Sequence, residues 1–70
     1  MSEDLLDMWN EIKVLVESTD SDINKHARGN ATAGVRSRKG LRLLKAKMYY
    51  IVKLSIAVSK EKLEEKSTEA

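Results

Sequence analysis

Lys25-His26-Ala27-Arg28-Gly29-Asn30-Ala31-Thr32-Ala33-Gly34 holds the best helix-stop signal in a chain of 70 residues that contains no proline. Glycine takes the left-handed backbone at low cost and suits the place just past a helix end. Lys25 and Arg28 sit favourably near the negative end of a preceding helix, and Asn30 or Thr32 can cap a following one. The segment therefore reads as helix, turn, helix.

Upstream of the turn, Leu5, Trp9, Ile12, Val16, Thr19, Ile23 and His26 recur at alternating steps of four and three. Met8 and Leu15 widen that stripe, and Trp9 is expected in the core. Ser2 is placed to cap the first helix, with Glu3 and Asp4 against its positive end. Ser18-Thr19-Asp20-Ser21-Asp22 is the weak place, because such side chains compete for backbone hydrogen bonds. The periodicity continues through it to Ile23 and predicts an unbroken helix. The alternative is a kink or a fresh start at Asp20.

Downstream, Leu41, Leu44, Met48, Ile51, Ser55 and Val58 form a second seam. If the chain reverses at Gly29, Leu44 falls opposite Leu15 and Val16, Met48 opposite Ile12, Ile51 opposite Met8 and Trp9, and Ser55 opposite Leu5. Gly34 and Gly40 weaken the second helix, each by about 1 kcal/mol relative to alanine. In return, the small residues Ala33, Gly34, Ser37 and Gly40 permit a close helix approach. The fold class is all-α, an antiparallel two-helix hairpin. One domain covers residues 1–64, with a helix over about 3–28, a turn over about 29–31 and a helix over about 32–64. Residues 65–70 read as a flexible tail.

So short a chain buries little surface, and with no cysteine it has no disulfide to staple it. Its lone histidine has no metal partner, and Asp20 and Asp22 lack the glycine and glutamate of a calcium loop. Leu43, Tyr50, Leu54 and Ala57 lie beside the second seam, more apolar surface than one helix covers. They are the expected oligomer interface of a homo-oligomeric helical bundle, a dimer or a tetramer. Tyr49 and Tyr50 read as core or interface rather than as base-stacking groups.

Charge supplies the functional lead. Residues 1–24 carry Glu3, Asp4, Asp7, Glu11, Glu17, Asp20 and Asp22 against the single Lys13. From residue 25 to 53 there is no acid, but Lys25, Arg28, Arg36, Arg38, Lys39, Arg42, Lys45, Lys47 and Lys53. The formal net charge of +2 therefore conceals a polarised molecule that attracts polyanions to one region. Arg28, Arg36, Arg38, Lys39, Arg42 and Lys45 gather within about three helical turns of the bend and are the candidate nucleic-acid-binding residues. Arg36 and Arg38 are the foremost. Forked arginine donors and the free amides at a helix start suit a phosphate. Nothing suggests base reading, so binding is expected to be of low sequence specificity. Some arginines have a second use, pairing with the acidic helix of a neighbour, and Lys47 with an oligomer interface.

No nucleophile with its base, nucleotide loop or carboxylate pair is present, so the chain does not read as an enzyme and implies no cofactor or small-molecule substrate. Lys45, Lys47 and Lys53 interrupt the apolar residues 43–58, which argues against a membrane span. The acidic start does not resemble a signal peptide. A cytoplasmic, nucleoid-associated protein is the expectation.

The run Gly29-Asn30-Ala31-Thr32-Ala33-Gly34-Val35-Arg36-Ser37-Arg38-Lys39-Gly40-Leu41, ending in Leu44-Lys45, resembles the signature of the bacterial linker-histone-like DNA-binding proteins. That pattern, G-N-x-x-A-G-x-R-x-R-K-x-[LM]-x-x-[LI]-K, is matched at every fixed position. The resemblance is strong over roughly residues 22–45 and implies association with nucleoid DNA, with RNA as the related possibility. Larger members carry a lysine- and alanine-rich C-terminal tail, whereas the last residues here are slightly acidic. Binding is then left to the hairpin's own basic end. The competing reading is a helical self-assembly or adaptor module that docks onto an acidic protein.

Overall fold

The computed structural model describes residues 2–69 of the chain, and the side chains of residues 3–62. Helix α1 spans Ser2–Ala27 and α2 spans Ala31–Glu69, and the two pack side by side as an antiparallel hairpin. Gly29 at φ 103° is the one described residue with positive φ. Around it the last amides of α1 turn back. Gly29 N–H donates to the His26 carbonyl at 2.9 Å and Asn30 N–H to the Lys25 carbonyl at 3.1 Å. This paired arrangement is the Schellman closure of a helix end. Asn30 then opens α2, its Oδ1 accepting from Ala33 N–H at 2.9 Å. Of the two caps expected from sequence, Asn30 is the one used. Two residues thus close one helix and start the next.

α1 is unbroken through Ser18–Asp22. Asn24 Nδ2 donates to the Asp20 carbonyl at 2.8 Å and to its Oδ1 at 3.3 Å, which occupies groups that would otherwise cap a new helix. Thr19 is buried against α2, so tertiary packing outweighs the weak local propensity. The capping role expected of Ser2 lies outside the described side chains. α2 runs past the end expected near residue 64 to Glu69, and the expected tail over 65–70 falls where side chains are not described.

The helices approach most closely where α2 is small. A Cβ on Gly40 would stand 2.5 Å from Thr19 Oγ1, and one on Gly34 would stand 2.6 Å from His26 Nδ1. Ser37, also buried, folds its hydroxyl onto the Gly34 carbonyl at 2.9 Å. The price of glycine inside a helix is offset here by backbone proximity. Nearer the open end Leu5 and Trp9 share a groove with Ile51 and Ser55, which fixes the same antiparallel register that the sequence predicts.

The packed face is rotated from the expected one. Among the described residues, buried or half-buried positions on α1 are Leu5, Met8, Ile12, Leu15, Thr19 and Asp22; on α2 they are Ala33, Gly34, Ser37, Gly40, Leu44, Lys47, Ile51, Leu54, Ala57 and Val58. Trp9, expected in the core, is 48% exposed, and Val16, Ile23, Leu41 and Met48 are exposed with it. Ser55, placed in the second seam by its spacing, is exposed too. The cause is the small-residue strip Ala33-Ser37-Gly40. It draws Thr19 and its heptad mates inward and turns the bulkier stripe aside. Among the described residues only Ile12, Ala33 and Leu44 are buried and apolar, a very small core.

Candidate nucleic-acid interface

α2 begins without an acid in its first turn and presents its cations outward. Arg38, Arg42 and Lys45 follow one another at i, i+4 and i+7, on the side of α2 turned from Ser37, Gly40 and Leu44. Lys39 projects from the flank of that ridge, and Arg28 from the turn. All five are exposed, and none of them has a carboxylate within ion-pair distance among the described residues.

Arg36 differs. Its Nε meets Asp22 Oδ1 at 3.0 Å, with the Asp22 side chain 16% exposed and that of Arg36 49% exposed. Asp22 is held by the packed seam, so it fixes one edge of the guanidinium and offsets its charge. Lys47 is likewise engaged, its Nζ 3.4 Å from Glu11 Oε2. Sequence reasoning placed Arg36, with Arg38, foremost among the binding residues and did not find Asp22. The signal was there, since the antiparallel register that puts Gly40 on Thr19 puts residue 36 at the level of residue 22.

The helix start has fewer free amides than a bare terminus. Asn30 N–H closes α1 and Ala33 N–H is capped by the Asn30 side chain, so Ala31 and Thr32 keep the open donors. An anion there meets two amides, with Arg28 nearby in sequence. His26 is exposed and covers Gly34 rather than facing a metal cluster, and no group of His, Asp or Glu among the described residues could hold a metal ion. No described helix is long and apolar enough to cross a membrane.

Of the expected interface set, Leu43 and Tyr50 are exposed while Leu54 and Ala57 are half-buried at the edge of the seam. Leu43 borders a groove with Val14, Leu15 and the Lys47–Glu11 pair.

A family model described as histone H1-like protein Hc1 matches residues 7–61, most of the chain. The chain belongs to the histone H1-like Hc1 family. This is a histone-like DNA-binding family, a non-enzymatic class. No curated protein and no solved structure matches the chain. The Hc1 match takes in α1 from Asp7, the whole turn, and α2 as far as Glu61, so every cation of the ridge falls within it.

Proposed function

We propose that this Hc1-family hairpin binds the phosphate backbone of DNA with little sequence preference, through Arg28, Arg38, Lys39, Arg42 and Lys45. Arg36 contributes less than its neighbours because Asp22 already shares its charge. The observation that carries the reading is the row of exposed cations without carboxylate partners among the described residues, on a helix with no acid between residues 31 and 60. The donors fit phosphates, and no group is positioned to read base edges. Such a protein organises chromosomal DNA in the cytoplasm as a nucleoid-associated factor, and RNA presents the same backbone charge. A gel shift comparing the wild type with an Arg38→Ala/Arg42→Ala/Lys45→Ala variant tests it. Weaker binding with an unchanged oligomer supports the proposal; lost assembly with unchanged binding supports an adaptor module instead.

Asp22 offers a gain-of-function check. Asp22→Asn removes a negative charge and frees Arg36. Duplex binding is expected to strengthen several-fold, and its salt slope to steepen by about 0.9, one additional phosphate. Stability should change by no more than about 1 kcal/mol, as for a partly exposed ion pair. An unchanged slope would mean that Arg36 never reaches the phosphates.

The hairpin also self-associates in this reading. Two exposed apolar strips flank the seam. Leu43 and Tyr50 lie on one, with Leu54 and Ala57 at its edge. Leu6, Trp9, Val16 and Ile23 line the other, with Leu41, Met48, Val52 and Ile56 across the groove. The second strip is the larger, and the acidic start of α1 complements the basic turn end of an antiparallel copy. Trp9 is the single tryptophan and reports on this directly. Its emission should shift to the blue as concentration rises through the dimerisation range. An emission maximum independent of concentration, alongside a monomeric mass, contradicts self-association through this strip.

A further inference from the structure

Tyr49 is 60% exposed and lies on the cationic ridge, four residues after Lys45 and four before Lys53. Arg38, Arg42, Lys45, Tyr49 and Lys53 succeed one another at steps of four, three, four and four. They make a row about 22 Å long at 1.5 Å per residue, opposite the packed seam. The neighbouring Tyr50 belongs to a different surface, beside the Leu43 strip, and meets Tyr49 only edge-on, with ring centroids 5.9 Å apart at 71°. An aromatic ring bordered by cations along its own row, and this far exposed, is not placed for the hairpin core.

We infer that Tyr49 is a stacking platform for unpaired bases, so that the ridge binds single-stranded nucleic acid by base stacking as well as by charge. This rests on the reading of the ridge as a phosphate-binding surface and adds a ligand class to it. Stacking on an aromatic face, flanked by backbone-tracking cations, is how proteins hold single strands without reading sequence. Duplex bases are already stacked on one another and do not offer a free face to Tyr49. At present Lys53 Nζ lies over the ring, 4.6 Å from its centroid. An exposed cation–π contact is weaker than base–aromatic stacking, so an incoming base displaces the lysine. The released ammonium then stands beside the strand, next to its phosphates. One contact is exchanged for two.

The test is fluorescence anisotropy with the full chain, on a labelled poly-dT strand about 16 nucleotides long and on a duplex of the same length. Tyr49→Ala, Tyr49→Phe and Tyr50→Ala are compared with the wild type, and circular dichroism verifies that each folds. Tyr49→Ala is expected to weaken single-strand binding about 5- to 100-fold while duplex binding stays within about twofold. Tyr49→Phe keeps the ring and should retain wild-type affinity; Tyr50→Ala should leave both ligands unaffected. Single-strand affinity untouched by Tyr49→Ala, with duplex binding intact, overturns this inference alone. An equal loss on both polymers also overturns it. Failure of the wild type to bind either polymer removes the phosphate reading and this one together.

Discussion

Replacing Arg38, Arg42 and Lys45 together by alanine should weaken duplex binding about 100-fold near physiological salt and leave the hairpin folded. The effect arises from counterions. Each phosphate neutralised releases condensed cations, and log affinity falls with log salt by about 0.9 per contact. Three lost contacts therefore reduce the slope by about 2.7 and remove about two decades of affinity at 0.15 M salt. Folding should not suffer, because all three side chains are exposed and make no ion pair among the described residues. Alanine is moreover a better helix former than either parent residue. Arg36→Ala alone should have a smaller effect than Arg38→Ala, since the Arg36 guanidinium is already engaged by Asp22 at 3.0 Å. Equal effects of those two single variants would contradict the view that Asp22 weakens the contribution of Arg36. Electrophoretic and anisotropy titrations at matched ionic strength read both quantities.

The second large effect is on stability. Ile12 is 1% exposed and is the largest fully buried side chain among the described residues. Cutting it to alanine removes its transfer energy and leaves a cavity, at a cost of about 2–4 kcal/mol. A domain of this size holds roughly 3–5 kcal/mol in total. Ile12→Ala should therefore unfold most of the hairpin at 37 °C, visible as lost helical ellipticity and a melting curve without a native baseline. Val14→Ala, two residues along at an exposed position, should change stability by no more than about 0.5 kcal/mol. If the two variants melt alike, the helices do not pack on the Ile12 face.

The fold was legible because its punctuation is strong. A proline-free chain with one Gly-Asn pair between two heptad-like stripes allows few alternatives to a hairpin, and the register follows from reversing the chain at Gly29. The phase of packing was not legible from hydrophobicity alone. α1 carries two overlapping stripes that share Leu5, Ile12 and Thr19. Ranking by apolar character favours Trp9, Val16 and Ile23 over Met8, Leu15 and Asp22, yet the hairpin selects the latter. The deciding residues are on the other helix. Gly40 admits Thr19 and Gly34 admits the His26 ring, and no bulky residue on α2 competes for those places. The rejected stripe remains apolar and exposed.

The candidate site was legible as a charge count and less so residue by residue. The absence of acids from 25 to 53 locates the basic region without any structure. It does not tell which cation is answered from the opposite helix. That depends on register to within one residue, and it separates Arg36 and Lys47, which are paired, from Arg38, Lys39, Arg42 and Lys45. Tyr49, read from the sequence as core or interface, is exposed and so is not part of the hairpin core. It follows an apolar run, but three-dimensionally its neighbours are Lys45 and Lys53.

The most direct test of the phosphate-binding surface is a titration of the wild-type protein against duplex DNA across a range of monovalent salt. Five cations in contact with phosphates predict log affinity falling with log salt at a slope near −4.5. A flat response, or a slope unchanged when Arg38, Arg42 and Lys45 become alanine, would contradict the proposal that this ridge holds the DNA.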